Sequence, residues 1–195
     1  MPRAHGSTPS VSDHYFACLD LRGRSCLVVG GGRVGLEKAR GLVFADADVT
    51  VVAPELEPEL RTLPVQLVER RYVSTDVDGR WLVVAATPDR EVNRRVSRDA
   101  ERKRVFCNVA DDPELCSFIL PAIHREGAVA IAVSTGGASP ALAQHLRSRI
   151  AELVTPQHAE LAEELRALRP WAKENLPTYE ARRDFFARRV EEALR

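Results

Sequence analysis

The sequence predicts a doubly wound parallel α/β sheet followed by a hairpin segment and a small helical domain. Three observations carry this. The apolar run Cys26-Leu27-Val28-Val29 breaks into Gly30-Gly31-Gly32, with Gly35 following shortly, which is the pattern of a buried strand turning sharply into a helix. Strand-like and helical patterns then alternate as far as Val109, which argues for right-handed strand-helix-strand units. Beyond Val109 the alternation gives way to two strand-like runs and then to helical sequence.

Residues 1–13 are polar and rich in Pro, Ser and Gly and are expected to be a disordered lead-in. Phe16, Leu19 and Leu21 are expected to pack as an edge segment. The first strand is expected over residues 25–30 and the first helix over 33–44, with Gly35, Ala39, Leu42 and Val43 on its apolar stripe. Asp46 stands where glycine would be the easier left-handed helix end. Further strands are expected over 49–53, closed by Pro54, and over 65–69 and 81–86, the last stopped by Thr87-Pro88-Asp89. Asp89 can cap a helix reaching about Arg102 with Val92 and Val96 buried, and 105–109 completes the sheet.

Residues 117–123 and 128–134 read as a hairpin turning at His124-Arg125-Glu126-Gly127. In its second arm Val129, Ile131 and Val133 oppose an alanine face of Ala128, Ala130 and Ala132, which suits a strand packed on both sides. Ser139 can cap a helix beginning at Pro140, with Leu142, Leu146 and Ile150 as its apolar row. Pro156, Pro170 and Pro177 are expected to divide the remaining sequence into short helices, the last over about 178–194, carrying many arginines and Phe185-Phe186.

A chain of 195 residues can bury a real core as one domain or two small ones. With 28 Lys plus Arg against 28 Asp plus Glu the formal net charge is zero, so neither nucleic acid nor an anionic membrane is expected as a partner. Cys18, Cys26, Cys107 and Cys116 form no C-x-x-C pair, and reduced, partly buried thiols in a cytoplasmic protein are expected ahead of a disulfide or a metal site. No apolar stretch reaches membrane-spanning length and the N-terminus lacks a secretory apolar region.

The glycine loop is where a pyrophosphate would sit. Gly30 permits the turn, Gly32 leaves the backbone open to a phosphate, Gly35 brings the helix close to the strand, and the helix start supplies N–H groups and a favourable dipole. A kinase-type phosphate loop is excluded, because no Gly-Lys-Ser/Thr follows. Ligands of such sheets bind beyond the carboxyl ends of the strands, where Pro54-Glu55 and residues 108–113 would meet the glycine loop. Asp111 and Asp112 there could serve as a general base or metal ligand, although Asp-Asp-Pro is ordinary turn chemistry and the pattern alone favours a turn. The loop 134–140 is dense in hydroxyls and backbone N–H groups and could bind a carboxylate, or simply start a capped helix. His124, in the expected turn, and His145, on a polar helix face, are expected to be solvated, with no metal-ligand spacing.

The motifs Leu27-Val28-Val29-Gly30-Gly31-Gly32-Arg33-Val34, Ala85-Ala86-Thr87-Pro88-Asp89 with Asn93, Phe106-Cys107-Asn108-Val109-Ala110-Asp111, Ser117-Phe118-Ile119-Leu120-Pro121-Ala122 and Ala132-Val133-Ser134-Thr135-Gly136-Gly137-Ala138-Ser139-Pro140 stand in this order in the chain. Together they resemble the precorrin-2 dehydrogenase and sirohydrochlorin ferrochelatase family, which includes a module of siroheme synthase and stand-alone relatives. The resemblance implies an NAD-binding Rossmann domain over 14–113, a dimerisation segment over 114–146 and a helical domain over 147–195 that covers a tetrapyrrole. It implies NAD⁺-dependent oxidation of precorrin-2 to sirohydrochlorin by a homodimer, and in some members insertion of Fe²⁺ to give siroheme, a lyase activity. Carried over by position, the cofactor contacts beside the glycines are Arg33, Val34, Pro54, Glu55 and Thr87; the substrate contacts are Asn108, Ser134, Thr135 and Gly136. The aspartate on which both reactions depend is Asp111, not Asp112, which overrides the turn-only reading. Glu55 implies NAD⁺ over NADP⁺, with Arg33 pulling the other way. No methyltransferase domain is read in the chain, so uroporphyrinogen methylation is expected of another protein. The rival readings are a regulatory Rossmann module that senses NAD without turning it over, and a dehydrogenase of a small acid, which would need a larger substrate domain.

Overall fold

The computed structural model describes residues 14–195, so the expected lead-in at 1–13 lies outside the described residues. The chain forms two compact units that divide after Leu120. In the first, β1 (Ser25–Val29), α1 (Arg33–Phe44), β2 (Asp48–Ala53), β3 (Gln66–Glu69), β4 (Leu82–Ala85), α2 (Arg90–Lys103) and β5 (Phe106–Val109) follow in order. The strands make one parallel sheet, ordered β3-β2-β1-β4-β5. The sheet and its alternating helices agree with the sequence expectation, and the boundaries differ from it by a residue or so.

β1 and β4 are apolar throughout their buried lengths because the sheet is covered on both faces. One face, with Cys26, Val28, Val51 and Val84, packs under Leu36, Ala39 and Leu42 of α1. The other, with Leu27, Val29, Val83 and Cys107, packs under Val96 and Ala100 of α2. α1 ends as the sequence indicates, with Asp46 left-handed at φ 55°. The carbonyls of Val43 and Leu42 accept from the N–H groups of Asp46 and Ala47 at 2.9 and 3.1 Å, the exchange that closes a helix end. Asp89 caps α2 by accepting from the N–H groups of Glu91 and Val92. The expected edge segment is only partly formed: Leu21 packs against the core, whereas Phe16 and Leu19 are exposed.

Burial raises the thiol of Cys26 to about 11 and that of Cys107 to about 12, while Cys18 is exposed and all four cysteines are free. A protonated, enclosed thiol is a poor nucleophile. Brief alkylation at pH 9 in the native state should therefore label Cys18 and spare Cys26 and Cys107, and peptide mass mapping after unfolding should find all four reactive.

The second unit contains β6 (Ala122–Glu126), β7 (Val129–Val133), α3 (Pro140–Ala151), α4 (Pro156–Asn175) and α5 (Tyr179–Ala193). Here the hairpin corrects the sequence reading. Residues 117–121 are not a strand, because Ser117 is fastened to the edge of β5: its N–H donates to the Cys107 carbonyl at 2.8 Å and its hydroxyl accepts from the Cys107 N–H at 2.7 Å. Pairing begins at Ala122, opposite Val133, and ends with Glu126 opposite Val129. The turn is Gly127-Ala128, with Gly127 at φ 53°. His124 is thus a strand residue opposite Ile131, not a solvated turn residue, and its Nε2 is enclosed without a hydrogen-bond partner. His145 is exposed as expected.

Val129, Ile131 and Val133 are half-buried, while Ala128, Ala130 and Ala132 remain exposed, so among the described residues only one hairpin face is covered. The expected apolar row of α3 also faces outward, with Leu142 48% and Leu146 40% exposed; the buried residue is Ala143, whose small side chain permits close approach. Pro170 does not end a helix, since α4 runs through it. The single hydrogen bond lost there is offset by burial of Leu161 and Ala172 and by Trp171 against Phe185 of α5 at 5.4 Å.

Candidate functional site

Strand register sets the candidate site. Val52, Val29, Ala85 and Val109 lie in one transverse row across β2, β1, β4 and β5. The residues that follow them therefore leave the sheet together at the carboxyl ends of its strands. Gly30-Gly31-Gly32, Pro54-Glu55, Ala86-Thr87 and Ala110-Asp111 are the four loops so aligned, and one strand, β4, separates the glycine loop's strand from that of Asp111. Two strand spacings amount to about 10 Å.

Gly30 stands at φ 123°, and a Cβ there would lie 2.3 Å from the Ala86 carbonyl oxygen. A Cβ on Gly35 would lie 2.0 Å from the Gly30 carbonyl oxygen, so only glycine lets α1 start so close to β1. Gly32 differs, since a Cβ on it would meet nothing within 4 Å. It is the N-cap of α1, with no side-chain cap and no acidic residue in the first turn. The first N–H groups of α1 are thus left to an anion, and Arg33 and Val34 beside them are exposed. Open space over Gly32 and uncapped donors fit the pyrophosphate of a dinucleotide. Gly31, which the sequence reading passed over, is buried, and its carbonyl accepts from the Glu57 N–H at 2.8 Å. Pro54 and Glu55 are exposed beside it.

Thr87 is held by Asn93, one turn into α2. The Asn93 Oδ1 accepts from the Thr87 hydroxyl at 2.8 Å, and its Nδ2 donates to the Thr87 carbonyl at 2.9 Å. Only this tertiary contact explains a buried asparagine on the apolar face of a helix.

Asp111 follows β5 in the left-handed region at φ 60°, which costs a non-glycine residue energy and is common at functional sites. Its side chain is exposed and forms no hydrogen bond or ion pair within the described residues. Asp112 belongs to the next turn, where its carbonyl accepts from the Leu115 N–H at 3.2 Å. Asn108 is buried, and its amide donates to the Phe118 carbonyl at 3.1 Å. That bond holds the chain after β5.

Ser134, Thr135 and Gly136 lie in the second unit. The Ser134 hydroxyl accepts from the Gly136 N–H at 3.1 Å, the Thr135 hydroxyl accepts from the Ser139 N–H at 3.0 Å, and the Ser139 hydroxyl accepts from the Leu142 N–H at 3.2 Å. Of the two readings left open by sequence, this loop therefore has the bonding of a capped helix start. A cavity of about 520 Å³ near Ser97, Arg98 and Cys107 includes none of the expected site residues. Among the described residues no cluster of His, Cys, Asp or Glu could hold a metal ion, and no helix is long and apolar enough to cross a membrane.

Comparison with known proteins gives a consistent result. Residues 17–122 match the family model described as "Putative NAD(P)-binding", and 126–153 match that described as "Sirohaem biosynthesis protein central". A siroheme synthase of Thioalkalivibrio sulfidiphilus is 42% identical over 183 residues, covering 92% of this chain and 37% of that protein. One from Methylobacillus flagellatus is 43% identical over 175 residues, covering 86% and 37%. The chain thus spans little more than a third of the length of these relatives. Among solved structures, SirC, precorrin-2 dehydrogenase, shares the fold with a TM-score of 0.77 at 24% identity, over 90% of this chain and 88% of that one.

Proposed function

This chain belongs to the siroheme-synthase family through its NAD(P)-binding and central segments, and on that premise we propose that it oxidises precorrin-2 to sirohydrochlorin with NAD⁺. The observation that carries the proposal is the register row that brings the uncapped glycine loop and the unpaired Asp111 to the carboxyl end of the same sheet. Removing two hydrogens from a reduced tetrapyrrole takes a hydride acceptor and a base. NAD⁺, when bound, supplies the acceptor. The glycine loop and first turn of α1 hold its phosphates, Glu55 takes the ribose, and the Thr87 loop, fixed by Asn93, bounds the site beside Asp111. The Asp111 carboxylate, having no internal partner to surrender, accepts the proton. The test is purified protein with NAD⁺ and anaerobic precorrin-2, followed for NADH together with the sirohydrochlorin spectrum. One NADH per sirohydrochlorin is expected. NAD⁺ binding without turnover would instead make the chain an NAD-sensing module.

We extend the proposal to Fe²⁺ as a substrate for insertion into sirohydrochlorin, with Asp111 taking the pyrrole protons. Appearance of the siroheme spectrum when Fe²⁺ is added to the product mixture would support it. We propose a cytoplasmic setting, which accords with four free thiols.

We also propose a homodimer through the hairpin. The exposed alanine face, together with Ile123, Leu142 and Leu146, is apolar surface that a second copy would cover. Light scattering should give twice the mass of 21.6 kDa, and Ala130→Arg should shift it toward the monomer.

A further inference from the structure

We infer that Gly31 is a specificity-determining residue: by close contact with the loop after β2 it positions the Glu55 carboxylate, and so sets the preference for NAD⁺ over NADP⁺. The inference rests on the dinucleotide reading above and deepens it. In the glycine pattern of such sites the position between the first two invariant glycines accepts any residue. Here it does not. A Cβ on Gly31 would lie 2.1 Å from the Glu55 carbonyl oxygen and 2.9 Å from both the Ala53 Cβ and the Leu56 Cδ2. Gly31 has no positive φ, so it is required for space rather than for conformation. The same contact is bonded, since the Glu57 N–H donates to the Gly31 carbonyl at 2.8 Å. The two loops therefore move as one piece, and the backbone oxygen pressed on Gly31 belongs to the residue whose carboxylate is at issue.

Glu55 lies about 20 residues beyond the last glycine, the distance at which an acid meets the ribose 2′-hydroxyl and repels a 2′-phosphate. Its side chain is exposed and makes no ion pair among the described residues. Arg33, at the first position of α1, is also exposed and unpaired, and would attract that phosphate. Discrimination is thus a contest between two charges, and the placement of Glu55 against the glycine loop decides it.

Calorimetric affinities for NAD⁺ and NADP⁺ test this without any turnover. Gly31→Ala should displace the Glu55 loop and lower the NAD⁺-to-NADP⁺ affinity ratio by about tenfold. Glu55→Gln should do the same, and the double variant should lose no more than either alone, because both remove one interaction. Glu57→Pro is the milder partner experiment. Glu57 already stands at φ −55°, so proline keeps that φ and deletes the N–H that joins the loops, while Glu57→Gln controls for the carboxylate lost with it; Glu57→Pro should lower the ratio in the same direction, and by more than Glu57→Gln, even if Gly31→Ala fails to fold. An unchanged ratio in Glu57→Pro and in folded Gly31→Ala, or additive losses in the double variant, would overturn the inference while the dinucleotide reading stood. Failure of the unaltered protein to bind either dinucleotide would overturn that reading, and the inference with it.

Discussion

Asp111→Asn should lower NADH formation on the order of a hundred- to ten-thousand-fold, the usual loss when a positioned general base is removed, while leaving the affinity for NAD⁺ nearly unchanged. The substitution has to be asparagine. Asp111 stands at φ 60°, a region that asparagine tolerates and alanine enters only at a cost of about 1–2 kcal/mol, so an alanine variant would mix lost chemistry with a displaced loop. Asparagine keeps the shape and cannot take the proton. Because the Asp111 side chain bonds to nothing within the described residues, its loss breaks no internal network, and the midpoint of thermal unfolding should stay put. Asp112→Asn should be mild, since the turn uses the backbone carbonyl of that residue. If iron insertion accompanies oxidation, it should fall in Asp111→Asn as well. Near-normal NADH formation would return Asp111 to the role of a turn residue.

Gly35→Ala should cost several kcal/mol of stability in the first unit and abolish dinucleotide binding. A new Cβ would lie 2.0 Å from the oxygen and 2.8 Å from the carbon of the Gly30 carbonyl. Both atoms are backbone, so no side chain can swing away; α1 must lift from β1, which loosens Leu36, Ala39 and Leu42 from the core face. Overpacking ordinarily costs about 1–3 kcal/mol and occasionally more, and contact with backbone belongs at the upper end. The unfolding midpoint should accordingly drop by roughly 10 °C. Gly32→Ala is the contrasting case: nothing stands near its Cβ, so stability should hold while the added methyl occupies the space over the phosphate site. Gly41, mid-helix with open space around it, should accept alanine with a gain of about 0.5–1 kcal/mol. Calorimetry of the three variants separates the glycine that packs, the one that binds and the one that does neither. Equal stability of Gly35→Ala and the unaltered protein would sink the packing argument.

The alternation of apolar runs with helical stripes, the glycines at the end of β1 and the aspartates at the cap of α2 and the end of α1 were legible from local pattern, because each reports a requirement set within a few residues. The parallel sheet followed from the same periodicity, and the family followed from several motifs in one order. The misread elements have a different origin. Ser117 looks like the start of a strand until the edge of β5 claims its N–H and hydroxyl, and that shift carries His124 from a turn into a strand. Pro170 looks like a helix end until packing along α4 and against α5 outweighs one missing hydrogen bond.

In the first unit, residue type and local spacing marked the glycine loop as backbone open to a phosphate and Asp111 and Asp112 as carboxylates able to take a proton, while the pattern alone favoured a turn and the choice of Asp111 came from the family resemblance. Which of them are available was left to the folded chain. In the first unit Asn108 donates its amide to the Phe118 carbonyl, whereas the Asp111 side chain forms no hydrogen bond or ion pair within the described residues; in the second unit the Thr135 hydroxyl donates to the Ser139 carbonyl. Gly31, a filler in the linear pattern, became a contact because β2 lies beside β1 and returns Glu55 against it. Pattern records what a residue can do over a few neighbours; availability depends on partners distant in the chain, and the fold alone brings those together.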